Sequence, residues 1–228
     1  MRWKILHISA KSANCTITNV LLNDVESSPI VAKLSNTVIY LIGVPAVGKY
    51  TTAKAIAELT GAKVVDNQLI NFPIFFLSGY DGTDRFSFPK EGARAIEKIR
   101  SAILTFIRDH PDPEVSFIFT NVLDSSASDK RLFRKIELIA KKRGAFFVPV
   151  WLKCNASQIR QRKNNPDRHQ RLKDTDLSNI KFWTEEFQEL QAGHPNELTL
   201  DTSHCGPVET ARLILRHIEQ INARFSGG

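Results

Sequence analysis

An apolar run, Thr37-Val38-Ile39-Tyr40-Leu41-Ile42, leads into Gly43-Val44-Pro45-Ala46-Val47-Gly48-Lys49-Tyr50-Thr51. That loop opens into a helix-forming stretch, Thr52-Ala53-Lys54-Ala55-Ile56-Ala57-Glu58-Leu59. Strand, glycine-spaced loop and helix in this order leave few folds open, because the strand must be buried and the helix must pack back across it. Gly43 and Gly48 let the backbone curl until successive N–H groups point inward, and a helix starting near Lys49 adds its positive dipole end. Lys49 supplies a point charge for the outer phosphates, so Gly43 to Thr51 reads as a phosphate-binding loop of Walker A type. A tight turn alone has no need of that lysine. One position departs from the pattern: Tyr50 stands where a Ser or Thr hydroxyl would ligate Mg²⁺. A phenol is a poor ligand for that ion at neutral pH, which leaves Thr51 or Thr52, or water, to supply the oxygen. Thr51 is the candidate metal ligand.

The chain has 228 residues, 42% of them hydrophobic, enough for one sizeable domain with a core. Residues 36–224 read as that domain, and residues 1–35, which show little periodicity, as an N-terminal extension. No apolar run approaches the ~20 residues of a transmembrane helix, so no membrane partner is expected. The N-terminal stretch is basic and partly apolar, but it lacks the long apolar core of a signal peptide. Cys15, Cys154 and Cys205 are widely separated and without metal-ligand spacing, which predicts a reduced, cytoplasmic setting.

A formal charge of +7 raises the question of a nucleic-acid partner. Its distribution argues against one. From Lys153 to Lys173 there are seven basic residues against one acid, Asp167, and the rest of the chain is nearly balanced. The excess belongs to one local device. Asn164, Asn165 and Pro166 break it into helical pieces, and cations on a mobile lid would stabilise a transferring phosphoryl group and exclude water. Arg162 and Arg168 are the leading candidates, with Lys173 next. A solvated basic helix is the competing reading for any one of them.

Apolar and amphipathic stretches alternate in a βα pattern, which predicts a mostly parallel sheet covered on both faces. A strand at 62–65 ends at Asp66, and 67–88, broken by Pro73, Gly79, Gly82 and Pro89, reads as an irregular substrate-side insertion. A helix is expected near 90–110, and Val115–Thr120 reads as a strand ending in Asn121. Ser128 or Asp129 would cap the next helix, which Gly144 stops. Phe146–Leu152 is a strand in which Pro149 implies an edge-like place. A helix near 176–192, a strand ending at Asp201 and a last helix after Pro207 complete the pattern.

Ligands of open α/β sheets bind outside the carboxyl ends of the strands, and Asp66, Thr120, Asn121 and Asp201 all fall there. Asp66 could accept a proton from a substrate hydroxyl or orient Mg²⁺ through water; equally, it could cap a helix. Asn67 and Asn121 are candidate substrate contacts, and β-strand 115–120 ends without the second acid that such sites often carry. Asp201 could cap its own turn through Thr202 and Ser203. Arg100 is a further substrate-binding candidate, since a pocket joining Lys49, Asp66 and Arg100 would favour a small acceptor. Phe182, Trp183 and Phe187 have the spacing of a core face.

The chain resembles small P-loop kinases of the shikimate-kinase, chloramphenicol-phosphotransferase and nucleoside-monophosphate-kinase type, and most closely a group of bacterial kinase-like ATPases. The similarity runs from Thr37 to Ile221. It rests on Gly43–Thr51, Asp66–Phe75, Phe117–Leu123, Arg143-Gly144-Ala145, the Arg162, Arg168 and Lys173 segment, and Leu198–Thr202. That group often carries a bulky residue after the loop lysine, with Thr next. The resemblance implies an α/β three-layer P-loop NTPase sandwich with a five-stranded core and a lid, ATP and Mg²⁺ as cofactors, and an acceptor-site carboxylate at Asp66. The expected function is therefore an ATP-dependent phosphotransferase acting on a hydroxyl of a small-molecule acceptor. Lys49 and the loop would bind the triphosphate, Arg162 and Arg168 would close over the transferring group, and Asp66 would orient or deprotonate the acceptor. The alternatives are a nucleotide-binding regulatory ATPase with little transfer activity, suggested by Tyr50, and a polynucleotide-end kinase, suggested by the charge.

Overall fold

The computed structural model describes residues 34–81 and 88–226, so the N-terminal extension expected at 1–35 lies almost wholly outside them. Five strands form one parallel sheet in the order β2-β3-β1-β4-β5: β1 Thr37–Ile42, β2 Lys63–Asp66, β3 Phe117–Asn121, β4 Phe146–Lys153 and β5 Leu198–Asp201. Every residue of β1 is buried, which is why its apolar run is unbroken: a central parallel strand has no wet face. Side chains still alternate along it. Ile39 and Leu41 join the cluster containing Ile56 of α1 (Lys49–Thr60) and Ile214 and Ile218 of α7 (Pro207–Ser226). Val38, Tyr40 and Ile42 face the other way, with Leu104 of α3 (Lys90–Arg108) and Phe133 and Ile136 of α4 (Ala127–Arg143). The sandwich has three layers, and the mostly parallel sheet expected is parallel throughout.

Four local expectations change. Residues 67–77 are not irregular but form helix α2, Asn67–Leu77, with Pro73 inside it. An internal proline removes one backbone hydrogen bond and costs about 3 kcal/mol, which α2 offsets by packing on α3. The aromatic residues of this region form a cluster: Phe75, Tyr80 and Phe88 lie with ring centroids 4.6–5.4 Å apart. Pro149 sits in an interior strand, but β4 gains its second neighbour only from Val150, paired with Leu198. The proline occupies the part of the strand with one partner.

The helix expected at 176–192 is replaced by a short π-helical turn, Phe182–Glu186, after which the chain extends. Asp124 and Glu189 form an antiparallel bridge, Leu190 N–H donates to the Leu123 carbonyl at 3.1 Å, and the Trp151 indole donates to the Leu190 carbonyl at 3.1 Å. These tertiary bonds outcompete further helix. Trp183 is buried as a core face requires. The cap of α4 is Ser126, two residues earlier than expected, whose hydroxyl accepts from Asp129 N–H; Gly144 ends the helix with φ of 63°. Arg143, just before it, donates to the carbonyls of Ile107 and Val115 and so ties α4 to the entry of β3.

Candidate functional site

The carboxyl ends of all five strands lie at one edge of the sheet, because parallel strands share one direction, and the phosphate-loop candidate sits there after β1. Its shape follows from its glycines. A Cβ on Gly43 would lie 2.4 Å from the Leu152 carbonyl oxygen, and Gly48 has φ of 104°. Ala46, without that freedom, is also left-handed at 69°, a strained arrangement of the kind concentrated at ligand sites. Gly48 caps α1 with no side-chain hydrogen bond, and the first turn carries no acid, so the N–H groups there keep their capacity for an anion. The loop residues Gly43 through Thr51 therefore form a cradle fit for phosphates.

Lys49 crosses the mouth of this cradle. Its Nζ donates to the carbonyls of Gly43 at 2.6 Å and Val44 at 2.8 Å. Burial, with the charges of Lys173 and Arg168, lowers its pKa to about 7 against the opposing pull of Asp66 and Glu189. Asp66, at the end of β2 and buried, is the hub on the opposite wall. Its Oδ1 accepts from the Thr120 hydroxyl at 2.5 Å, and its Oδ2 from Arg171 at 2.8 Å, with Lys173 Nζ at 3.5 Å. Asn67 N–H donates to Thr120 Oγ1, and Asn121 Oδ1 accepts from the buried Tyr40 hydroxyl at 3.1 Å. Asp66, Asn67 and Asn121 all line one cavity of about 430 Å³ with Lys49 and the loop.

Four of the expected side chains have their polar groups engaged within the protein. Arg162, on α5 (Ala156–Lys163), turns to the back of the loop and donates to the Val47 carbonyl and to Thr202. Arg168, on the short α6 (Asp167–Gln170), spends Nε and an Nη on the Asp174 carbonyl, at 3.0 and 2.6 Å. Both line the cavity, but neither meets Asp66; a guanidinium already bonded to backbone oxygen holds the lid in shape. Arg100 is no cavity wall: one Nη donates to Asn67 Oδ1 at 3.0 Å and Asn71 Oδ1 at 3.4 Å, so it orients Asn67 from behind. The Thr51 hydroxyl donates back to the Gly48 carbonyl at 2.9 Å.

That last contact bears on Mg²⁺. Tyr50 offers a ring where the loop hydroxyl would be, both Asp66 oxygens are bonded, and β3 ends in Thr120 and Asn121 rather than in an acid. Among the described residues no group of three or more His, Cys, Asp or Glu is placed to hold a metal ion. Tyr50, Thr51 and the end of β3 do not supply the usual ligands of a divalent cation, and the Thr52 hydroxyl, buried on the cavity wall, is the loop oxygen that remains.

The lid contacts that sequence reasoning missed are Arg171, Gln68 and Thr202. Gln68 Nε2 donates to the carbonyls of Arg171 at 2.7 Å and Leu172 at 2.8 Å, fastening the lid tip to α2. Thr202 Oγ1 lies 2.7 Å from the Val47 carbonyl and so joins β5 to the loop. Arg171 stood in the basic run, but nothing in its spacing separated it from its neighbours. Asp201 caps its own turn as expected, accepting from the N–H of Ser203 at 2.8 Å.

No protein-family model matches the chain and no curated protein matches it. Solved structures do. A gluconokinase from Sinorhizobium meliloti is similar at 17% identity over 85% of this chain and 98% of its own, with a TM-score of 0.56. A thymidylate kinase from Candida albicans shares 15% identity over 82% of this chain and 93% of its own, with a TM-score of 0.53. A sugar kinase from Janibacter sp. shares 19% over 82% and 95%, with a TM-score of 0.51. Among the described residues no helix is long and apolar enough to cross a membrane. The sheet order, the uncapped loop-to-helix junction and these likenesses agree: the chain has the P-loop kinase-like fold.

Proposed function

We propose that this chain is an ATP-dependent phosphotransferase acting on a hydroxyl of a small acceptor. The observation that carries the reading is that Lys49 and Asp66 line the same cavity, with the lid cations Arg171 and Lys173 on the Asp66 carboxylate. Loop N–H groups and Lys49 would hold the outer phosphates, with the nucleoside directed toward Thr202 and Pro207 and the acceptor toward Asp66, Asn67 and Asn121. Acceptor oxygen attacks the γ-phosphorus, the bond to the bridging oxygen breaks to leave ADP, and the hydroxyl proton passes to Asp66. Arg171 and Lys173 contact the Asp66 carboxylate. On nucleotide binding they would turn to the phosphoryl oxygens, freeing Asp66 and neutralising the charge that develops. Arg162 and Arg168 support this geometry from the loop and the lid. A cavity of about 430 Å³ suits a small ligand rather than a polymer end.

Lys49→Ala should abolish ATP turnover in protein that still melts cooperatively; turnover surviving in folded protein would sink the assignment. Asp66→Asn should suppress transfer while ATP binding, followed by calorimetry, persists. A γ-phosphate transfer screen over small hydroxylated metabolites, nucleosides and antibiotics would name the acceptor. Hydrolysis of ATP with no acceptor found in such a screen would favour the regulatory alternative.

A further inference from the structure

Tyr50 lies beneath the lid. The guanidinium carbon of Arg171 is 3.5 Å from the centroid of its ring, and Lys173 Nζ is 4.5 Å from the same centroid. Two cations thus stack on the residue that follows the loop lysine, the place where a metal-binding hydroxyl is otherwise expected. Neither cation is free to wander. Arg171 is tied to Asp66 at 2.8 Å, Lys173 lies 3.5 Å from the same carboxylate, and their side chains are only 22% and 18% exposed. Gln68 grips the backbone between them, and Leu172 takes the left-handed conformation, φ 48°, that turns both neighbours inward.

We propose that Tyr50 is an aromatic seat that places Arg171 and Lys173 over the phosphate loop, and that these cations neutralise the triphosphate where a divalent ion held by a loop hydroxyl would otherwise do so. The proposal rests on the nucleotide reading above. It accounts for three observations together: the ring in place of the hydroxyl, the Thr51 hydroxyl turned onto Gly48, and the missing acid at the end of β3. A protonated guanidinium on an aromatic face is favourable, more so where water is displaced. A divalent ion at the same spot would meet two positive charges.

The test is ATP binding measured by calorimetry in excess EDTA and in excess Mg²⁺. The wild-type chain should bind within about threefold in the two media, and Tyr50→Phe, which keeps the ring, should match it. Arg171→Met with Lys173→Met, and Tyr50→Leu, should each weaken binding in EDTA by about tenfold while losing little in Mg²⁺. Tyr50→Thr, which removes the ring and restores a hydroxyl, should become metal-dependent in the same sense. Binding in Mg²⁺ certifies that each variant is folded. Wild-type binding that needs Mg²⁺, or a ratio between media that the Tyr50→Leu and lid variants leave unchanged, overturns the proposal alone. No binding in either medium overturns the nucleotide reading along with it.

Discussion

Gly43 has no room for a side chain, and Lys49 has little room for its charge. A Cβ at Gly43 would run into the Leu152 carbonyl at 2.4 Å, and that carbonyl belongs to an interior strand that cannot yield. Gly43→Ala should therefore cost at least about 2 kcal/mol in chemical denaturation, a value typical of a core clash. Lys49 presents a different constraint. With its pKa lowered to about 7 by burial and by Lys173 and Arg168, it is about half neutral near pH 7 in the ligand-free protein. A polyanion favours the charged form, so ATP binding above pH 7 should take up a proton. Below pH 7 the lysine is already charged and the dependence vanishes. Affinity should accordingly fall as pH rises from 7, by no more than ~tenfold per unit. Calorimetry in buffers of different ionisation enthalpy measures the proton, and Lys49→Arg should remove the slope, since a guanidinium stays charged throughout.

Among the elements, the lid is held at its base by a buried ion pair. Lys163, at the end of α5, is fully buried and donates to both Asp174 carboxylate oxygens at 3.0 Å and to the Asp176 carbonyl at 2.6 Å. Burial lowers its pKa, and Asp174 opposes the shift. Asp174 also accepts from the Trp183 indole at 3.1 Å, so the π-helical turn and the lid share one anchor. This explains why the expected helix after Asp176 gives way: its first turns are bound to Lys163 instead. Replacing Asp174 with Ala would strand a buried ammonium, and the expected cost is about 3 kcal/mol. Adding Lys163→Met should recover much of that loss, because the charge then goes with its partner. Thermal denaturation read by tryptophan fluorescence follows both variants. A double variant as unstable as the single one would show that the pair does not act as argued.

For the molecule as a whole, the charge excess is spent inward. Arg162, Arg168, Arg171 and Lys173 all line the same cavity, and Lys163 lies buried behind it. A protein that tracks nucleic acid spreads such charge along a surface, and its affinity falls steeply with salt. DNA or RNA binding by this chain should be weak, with a shallow salt slope in fluorescence anisotropy. Steep salt-dependent binding of oligonucleotide ends would revive the polynucleotide alternative.

Much of the sandwich is legible along the chain because its causes are local. Unbroken apolarity in Thr37–Ile42 states that both faces of β1 are covered, and glycine at 43 and 48 states that the backbone there must bend. The helical spacing of Ile96, Ile99, Ile103 and Ile107 marks α3 in the same way, and Ile96 and Ile107 are buried. Other features have no local cause. α2 contradicts its own proline and exists because α3 is there to pack against. The cation that meets Asp66 is 105 positions away in the chain, on a lid turned by a left-handed leucine that no periodicity announces. Seven basic residues can be read in that segment, but a pairwise contact is chosen by the path of the backbone between them. Tyr50 shows the division at one position. Its presence after Lys49 is a fact of the chain, and its place under Arg171 exists only once the lid has closed over the sheet edge.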